Sequence, residues 1–383
     1  MDCDTEAQLL AQLSPTVSSQ RDRMDILHLL RRNIDKCLGH LRPFVANYGS
    51  FPLQTYLPCG DLDLTIILAS PQRDEDLLRT VRNQMEFVAQ IRPQYDIKAF
   101  CEVNAEVKVL KFVVKGVPVD ISVNQVGGLL TLRLFELVDS LTADHLFKRA
   151  LLVTKAWATY ESRIAGSQYG LLASYALGVL VICTLNSCPA SRTSPIQVLI
   201  HMIRTLSDID WEESVITCYG VMRVQDYMQG DRLGRMREQK GLFCAKELEL
   251  AGELEQGCRA FQRKYVNLAD PMKPDNNLGR SVSRGNAERL KLAFKAAAQR
   301  LTLQGQAGLF PSLCRVPTKA GPESGRTSPS TSSGSEEEHW QFTSELEAVE
   351  RAVQRAQAVA EGQGGWSKPW MAFRPGFRPR MER

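Results

Sequence analysis

The sequence lacks paired cysteines, and this absence restricts the class of protein. Its ten cysteines are scattered along the chain, with no Cys-x2-Cys pair and no Cys/His cluster at zinc spacing. The pattern excludes a disulfide scaffold and a zinc ribbon. Scattered single cysteines are typical of a reducing compartment, so we expect the protein in the cytoplasm or the nucleus.

Long apolar runs are also missing. The longest, residues 171–185, is interrupted by polar residues and is shorter than the roughly 20 residues that a membrane-spanning helix needs. The first six residues, MDCDTE, are acidic and lack the basic region of a secretory signal. The sequence therefore predicts no membrane segment and no signal peptide.

The chain carries little excess charge. Its formal net charge is +4 over 383 residues, which does not by itself indicate a nucleic-acid partner. It has no RRM signature, no zinc knuckle and no long basic tract. A polyanionic substrate must therefore be argued from a specific site, and selectivity for an RNA is expected to come from a partner protein.

The first half of the chain has the pattern of an α+β domain. Residues 1–20 are polar and are predicted to be flexible. Apolar spacing predicts helices over 21–41 and 74–92, and alternation predicts strands over 61–67, 95–103, 106–115 and 117–123. We interpret residues 21–130 as one α+β domain with a mixed sheet. An alternative place for the helix 21–41 is against the next domain.

The pattern changes to helices from residue 131. Residues 131–305 are predicted to form a mostly helical domain without strands, which contains a polar loop at 270–284 and ends with a helix capped by Asn286. Residues 306–345 are rich in Pro, Ser, Thr and Gly and then acidic, which predicts a disordered linker. Residues 346–383 combine a helix candidate with an aromatic and basic tail. This tail either stacks on single-stranded RNA or binds a partner as a flexible peptide.

Two residues in the segment YGSFPLQTYLPCGDLDLTII, residues 48–67, favour phosphate binding. Gly49 and Ser50 precede a short segment in which Ser50 is a suitable N-cap and Pro52 is tolerated in the first turn, so we expect a short helix. Free N–H groups at a helix N-terminus, with a glycine for close approach, bind phosphate. The alternative is a plain helix cap.

Three aspartates further along the chain predict a metal site. Asp61 and Asp63 alternate with leucines on a strand, so their carboxylates share one face about 6.6 Å apart along it. Asp120, within VPVDISVNQ, lies on a second strand opposite to its apolar neighbours. Three such carboxylates suit two Mg²⁺ ions, and the third can also accept the proton of an attacking hydroxyl. The alternative for Asp61 and Asp63 alone is a solvated strand edge.

This order of motifs resembles the DNA polymerase β-like nucleotidyltransferases. Gly-Ser is followed by ten residues, Asp-x-Asp and a third aspartate on a later hairpin. The stretches LLVTKAWATYESRI, GLLASYALGVLVI and LADPMKPDNNLGR resemble the central helical domain and the nucleotide-recognition loop of atypical, Trf-like poly(A) and poly(U) polymerases. Over roughly residues 25–305 the chain is most similar to plant and algal poly(A)-polymerase/oligoadenylate-synthetase substrate-binding-domain proteins.

The resemblance implies a role for each matching residue. It implies that the three aspartates, Asp61, Asp63 and Asp120, are catalytic and hold two Mg²⁺ (or Mn²⁺) ions. It implies nucleotide contacts from Gly49 and Ser50 (β- and γ-phosphates), Asn124 (ribose), Lys155 and Ser174 (triphosphate), Tyr175 (stacking on the base), and Asn276, Asn277 and Arg280 (base pocket). Read from the residues alone, Lys155 could be a snorkelling lysine, Tyr175 a core residue and 275–277 a turn.

Two positions depart from the family pattern. Thr159 stands where many relatives have a second lysine, and Asn276 stands where some uridylyl-preferring relatives have a histidine. The second departure favours ATP over UTP, although base choice rests on one or two hydrogen bonds.

We interpret the chain as a template-independent nucleotidyltransferase that adds AMP, with UMP as the alternative, from ATP or UTP to an RNA 3′ end. Arg133, Lys148 and Arg149 are candidate contacts to the RNA backbone. Two other hypotheses stay open: an enzyme of the same superfamily that acts on a tRNA, an oligoadenylate or a small molecule, and a non-catalytic RNA-binding scaffold.

Overall fold

The structure is a computed structural model that describes residues 3–68, 73–104, 107–187, 194–229 and 260–311. Two compact units divide these residues. We call residues 15–133 the sheet unit, and residues 3–14 together with 134–309 the helical unit.

A five-stranded mixed sheet forms the centre of the sheet unit. Its strands are β1 (Phe44–Tyr48), β2 (Leu62–Ile67), β3 (Lys98–Asn104), β4 (Lys108–Val114) and β5 (Val117–Val123), in the order β1-β2-β5-β4-β3. Strands β2 and β5 are parallel, and the other neighbours are antiparallel. The α+β class and the mixed sheet predicted from the alternating patterns are confirmed.

Two helices share a core with this sheet. They are α2 (Val17–Leu38) and α3 (Asp74–Ile91). The apolar residues of α3 recur every three or four positions, from Leu77 to Val88, and pack with the buried faces of β2 and β5. The buried residues of α2 belong to the same core, so the helix beginning near residue 21 packs within the sheet unit.

The prediction that residues 1–20 are flexible is wrong. Residues Cys3–Leu13 form helix α1, and Thr16 caps the next helix by accepting a hydrogen bond from the Ser19 amide. Leu9, Leu10 and Leu13 are buried on one side of α1. The three leucines lie within a mostly polar segment, so the composition of residues 1–20 concealed a short amphipathic helix.

The helical unit contains most of the remaining helices. They are the end of α4 (Gly127–Ser140), α5 (Leu146–Ala156), α6 (Ser174–Ser187), α7 (Pro195–Asp208), α8 (Val224–Gln229) and α9 (Arg284–Gln304). Helix α6 is buried on all sides from Ala176 to Leu185, which makes it a core helix of this unit. No helix in the described ranges combines the length and the apolar character needed to cross a membrane.

Two small hairpins interrupt the helices, although the sequence predicted no strands there. Strands β6 (Ser214–Thr217) and β7 (Gly220–Arg223) form one, and β8 (Ala269–Asp270) and β9 (Lys273–Asn277) form the other, within the segment predicted to be a polar loop. Strands of two to five residues are too short to show alternation. The cap of α9 is Ser283, which accepts from the Asn286 amide, so Asn286 is not the cap.

The predicted linker begins too early at residue 306. A 3₁₀ turn spans Gly305–Leu309, and Leu309 and Phe310 are buried. The remainder of the predicted linker, the helix candidate and the aromatic tail lie outside the described residues, as does the whole segment 230–259.

Candidate active site

Four polar side chains form one row across the sheet unit. Tyr48 on β1 is the register partner of Asp63 on β2, Asp63 is the partner of Asp120 on β5, and Asp120 is the partner of Lys111 on β4. Register partners on adjacent strands project from the same face of a sheet. The row therefore places two carboxylates between a phenol and an ammonium group.

Asp61 completes a group of three carboxylates. It directly precedes β2, two residues before Asp63, and therefore faces the same side of the strand. One ligand oxygen from each of Asp61, Asp63 and Asp120 lies within 4.8 Å of the others, and all three residues are half-buried. The structure thus brings together the three aspartates that the sequence singled out, and they could hold a metal ion.

The donor set fits a hard divalent cation. Three ionised carboxylates repel one another at this distance, and Lys111, which pairs with Asp120, supplies a single positive charge against three negative ones. Oxygen ligands from aspartate are those that Mg²⁺ and Mn²⁺ prefer. The remaining negative charge would be matched by bound cations.

Burial shifts the pKa of two members of the row. It raises the pKa of the Asp120 carboxyl above its ordinary value, Lys111 opposes this increase and Asp61 adds to it. Burial together with Asp63 raises the pKa of Tyr48 to about 12, while a hydrogen bond with Ser122 opposes the increase. Tyr48 is therefore a neutral phenol at physiological pH and adds no charge beside the aspartates.

Tyr48 and Lys111 were missed in the sequence. Lys111 could have been found, because a two-residue turn at 115–116 pairs 114 with 117 and therefore 111 with 120. Tyr48 gave no such signal, since a long irregular connection separates β1 from β2. The ring of Tyr48 lies against Gly128, where any Cβ would collide with it.

The expected helix after Gly49-Ser50 is absent. Residues 49–54 form successive turns, in which the Thr55 amide donates to the Ser50 carbonyl at 3.0 Å and the Gln54 amide to the Phe51 carbonyl at 3.0 Å. Gly49 and Gln54 both have positive φ, at 79° and 60°, which a helix does not permit. The prediction of a helix at this point is therefore wrong, although Gly49 does lie against the Asp63 carboxylate.

A chain of hydrogen bonds links the candidate base-binding residues of the helical unit. The Tyr175 hydroxyl donates to Asp270 Oδ1 at 2.6 Å, and Asn276 Nδ2 donates to Asp270 Oδ2 at 2.8 Å. Arg280 in turn donates to Asn276 Oδ1 at 2.8 Å. Asp270 was not predicted, and it holds both Tyr175 and Asn276 in place. Burial, followed by the charge of Asp270, raises the pKa of Tyr175 well above its usual range, so Tyr175 stays a donor.

Asn277 is held by four hydrogen bonds inside the helical unit. Its Nδ2 donates to the Gln262 carbonyl at 3.0 Å and to Asn267 Oδ1 at 3.2 Å, and its Oδ1 accepts from the Leu268 amide at 3.1 Å and the Gly279 amide at 2.8 Å. The residue is 2% exposed. All its hydrogen-bonding capacity is used inside the protein, so its side chain has no donor or acceptor left for a nucleotide.

The other predicted nucleotide contacts differ in exposure. Ser174 is exposed at the first position of α6, directly before Tyr175, whereas Lys155 is 8% exposed on α5. Asn124 follows β5 with a φ of 52°, and its Oδ1 accepts from the Leu68 amide at 2.9 Å. Asn124 is four residues from Asp120, or roughly 13 Å along the strand.

Lys148, a candidate contact for RNA, forms ion pairs inside the helical unit. Its ammonium group lies 2.8 Å from Glu136 Oε2 and 3.7 Å from Asp139 Oδ2, and its side chain is 14% exposed. Asp139, which is 3% exposed, also accepts from the Lys148 amide at 3.1 Å and lies 2.7 Å from His145 Nδ1. Lys148 is thus the counter-ion of two buried acids. Arg149 is exposed, and Arg133 is half-buried.

Two family models match the chain in the order of its two units. The poly(A) RNA polymerase, mitochondrial-like, central palm domain matches residues 5–139, and the PAP/OAS1 substrate-binding domain matches residues 141–304. Taken together, the two matches support a polymerase β-like nucleotidyltransferase, similar to poly(A) polymerases.

Curated relatives agree with this placement. The chain is 24% identical to Protein HESO1 of Arabidopsis thaliana over 332 residues, which covers 78% of this chain and 63% of that protein. It is 30% identical to Poly(A) RNA polymerase CID14 of Cryptococcus neoformans over 195 residues, which covers 50% of this chain and 24% of that protein. The chain thus matches under two thirds of the length of either relative.

Solved structures share the fold. The Cid1 poly(U) polymerase bound to MgGTP has a TM-score of 0.60 at 15% identity, over 80% of this chain and 97% of that one. A cytoplasmic RNA terminal U-transferase has a TM-score of 0.58 at 15% identity, with the same coverage. At these identities the likeness shows the fold alone.

Proposed function

We propose that the protein is a template-independent nucleotidyltransferase that transfers nucleoside monophosphates from an NTP to the 3′ end of an RNA. The observation that carries this proposal is the convergence of Asp61, Asp63 and Asp120, with ligand oxygens within 4.8 Å of one another, on a sheet of this fold. The known relatives include a poly(A) RNA polymerase and a poly(U) polymerase, which supports RNA as the acceptor.

The three aspartates are proposed to hold Mg²⁺, with Mn²⁺ as a substitute, because all their donors are carboxylate oxygens. When bound, two such ions neutralise phosphate oxygens and lower the pKa of an attacking hydroxyl. Asp120 is proposed to accept the proton of the RNA 3′-hydroxyl, because it is a carboxylate within the group that is proposed to hold the ions. Tyr48 and Lys111 flank the aspartates in the same row and are proposed to fix their orientation.

Residues of the helical unit are proposed to bind the nucleotide. Ser174 is exposed at the start of α6 and is suited to a phosphate contact, and Lys155 is proposed to be a triphosphate contact. Tyr175 presents an aromatic ring whose hydroxyl is fixed by Asp270, which suits stacking on a base. Gly49 and Ser50 are proposed to contact phosphate from their turn, and Asn124 the ribose.

ATP is proposed to be the preferred nucleotide. Asn276 replaces the histidine of uridylyl-preferring relatives, and a solved histidine-to-asparagine mutant of the Cid1 poly(U) polymerase is bound to MgATP. The Asn276 amide donates one N–H to Asp270, and its oxygen accepts one hydrogen bond from Arg280. One N–H and one oxygen lone pair are left for a base. Arg280 is proposed to hold this amide in place.

The protein is proposed to act in the cytoplasm or the nucleus with a partner protein that selects the RNA. The described cysteines Cys37, Cys59, Cys101, Cys183 and Cys218 form no disulfide, which supports a reducing compartment. Affinity capture with the full chain, followed by ribonuclease treatment, tests for the partner protein. A partner bound through protein contacts stays on the chain after the RNA is digested.

Extension of a radiolabelled oligo(A) with each of the four NTPs and Mg²⁺ or Mn²⁺ tests the proposed activity. We expect extension with ATP above the other three nucleotides. Asp61→Ala is expected to lower the rate at least about 100-fold, whereas the control Asp76→Ala, which removes an exposed carboxylate from α3, leaves it unchanged. The proposal is refuted if no NTP extends the RNA.

A further inference from the structure

An exposed tyrosine and several arginines lie together on the surface of the helical unit. Residues 162–170 follow α5, and residues 280–289 include the first turn of α9. These two segments contain four arginines, Arg163, Arg280, Arg284 and Arg289, all exposed, together with Tyr169. We call this set of side chains the Tyr169 surface.

Hydrogen bonds from α9 hold the two segments together. Asn286 Nδ2 donates to the carbonyl of Tyr169 at 2.8 Å and to that of Gly170 at 3.0 Å. The Arg289 guanidinium donates to the Arg163 carbonyl at 2.6 Å. The backbone on either side of Tyr169 is therefore fixed to a long helix, and a ligand that used this surface would find it already ordered.

The exposure of Tyr169 is unusual for an aromatic side chain. The residue is 71% exposed, and one edge of its ring lies beside Gly166. A well-anchored tyrosine with a solvent-facing ring has no role in the core of the fold. It offers a flat surface on which a planar group can stack.

The charge of the Tyr169 surface is strongly positive. The two segments contain four arginines and one acidic residue, Glu288. The carboxylate of Glu288 is paired with Lys291 at 2.8 Å and also interacts with Arg284, so the two segments keep a net positive charge. Positive charge beside an exposed aromatic ring is the combination that binds single-stranded nucleic acid, with bases on the ring and phosphates on the arginines.

We propose that the Tyr169 surface binds the single-stranded RNA near its 3′ end. This inference rests on the proposed function. The surface adjoins the nucleotide-binding candidates within the same unit, because Gly170 is followed by the start of α6 with Ser174 and Tyr175, and Arg280 contacts Asn276. A base stacks on Tyr169, and Arg163 and Arg284 contact the phosphates beside it.

Binding of a fluorescent oligo(A) to the full chain, followed by anisotropy without NTP, tests the inference. Tyr169→Ala is expected to weaken binding about tenfold through loss of stacking, and Tyr169→Phe to restore it. Reversal of charge in the double variant Arg163→Glu/Arg284→Glu is expected to weaken binding more than tenfold and to reduce the slope of log Kd against log salt by roughly 1 to 2. Arg280 and Arg289 are left intact because their side chains hold the fold.

Matched controls separate this surface from general effects. Tyr265→Ala removes another exposed tyrosine, and Lys295→Glu reverses an exposed charge further along α9. Neither is expected to change RNA affinity by more than about twofold, since single non-contacting charges act weakly at physiological salt. In extension assays the Tyr169 surface variants are expected to raise KM for RNA and to leave KM for ATP unchanged.

The result also distinguishes this inference from the proposed function. A wild-type chain that extends no RNA refutes the proposed function itself. A wild-type chain that extends RNA, while the Tyr169 and arginine variants bind oligo(A) as tightly as it does, overturns the inference alone and assigns the surface to another ligand, such as a partner protein.

Discussion

The backbone of Gly49 lies directly against the carboxylate of Asp63. A Cβ at position 49 would stand inside van der Waals contact with Asp63 Oδ2, and the φ of Gly49 is 79°, which disfavours any other residue. The glycine next to Ser50 thus leaves room for the Asp63 carboxylate, which is proposed to bind the metal. A substitution of Gly49 is therefore expected to change activity by displacing Asp63.

Gly49→Ala is expected to displace the Asp63 carboxylate and to weaken Mn²⁺ binding at least about tenfold, a loss of about 1.4 kcal/mol. Gly116→Ala is the matched control, because Gly116 has nearly the same φ of 78° and open space where a Cβ would stand. Both variants carry a similar backbone penalty, of about 1–2 kcal/mol. Isothermal titration of Mn²⁺ into each variant measures the difference, and equal affinities would show that the Asp63 contact has no influence on the metal.

Replacement of Asn276 is expected to change nucleotide choice. Asn276→His is expected to raise the ratio of kcat/KM for UTP over ATP about tenfold, because base discrimination depends on one or two hydrogen bonds. Asp270 and Arg280 hold Asn276, so the replacement acts at a fixed position. Steady-state kinetics with both nucleotides give the ratio. Asn276→Ala serves as the comparison, and a ratio that stays constant in both variants would exclude this residue from base selection.

Asn277 is expected to act on stability and not on nucleotide binding. Asn277→Ala leaves the Leu268 and Gly279 amides and the Gln262 carbonyl without their partner, and should lower the free energy of unfolding by about 2–4 kcal/mol. Chemical denaturation measures this loss. Asn276→Ala, next to it but half-exposed, should cost less stability and raise KM for the nucleotide more. The reverse order would contradict the assignment of the two asparagines.

Lys148 is expected to stabilise the helical unit. Lys148→Met removes the ammonium group shared by Glu136 and Asp139, which are 11% and 3% exposed, and leaves only His145 beside Asp139, at a cost of about 3 kcal/mol. Lys295→Met, which removes an exposed lysine from α9, should change the free energy of unfolding by under about 0.5 kcal/mol. Thermal and denaturant unfolding compare the two variants. An equally stable Lys148→Met variant with weakened RNA binding would instead favour the RNA contact that the sequence suggested.

Thiol reactivity is expected to follow burial. Burial raises the pKa of Cys183 to about 12 and raises that of Cys218 as well, so at pH 8 both remain thiols and both are shielded. Cys59 and Cys101 are exposed. Labelling of the native protein with iodoacetamide at pH 8, read out by peptide mass spectrometry, should modify the second pair and spare the first until denaturant is added. Early modification of Cys183 or Cys218 would contradict the packing of α6.

Local patterns in the sequence determined the sheet unit and its aspartates. Alternation of polar and apolar residues has a period of two, so it placed Asp61 and Asp63 on one face of β2 and Asp120 on the outward face of β5 without further information. The spacing of apolar residues likewise located α3 and the core helix α6. These features depend on neighbours along the chain, which a single sequence displays directly.

Only the tertiary structure decided what each polar side chain contacts. The pairing of β1 with β2 placed Tyr48 beside Asp63, and residues with positive φ angles form turns where a helix was expected after Gly49-Ser50. Asp270 accepts hydrogen bonds from Tyr175, 95 residues away along the chain, and from Asn276, six residues away. Lys148 forms ion pairs with Glu136 and Asp139, and Asn277 forms hydrogen bonds with four backbone and side-chain partners. Hydrogen bonds and ion pairs between distant segments depend on which segments the fold brings together. Composition and periodicity do not contain that information.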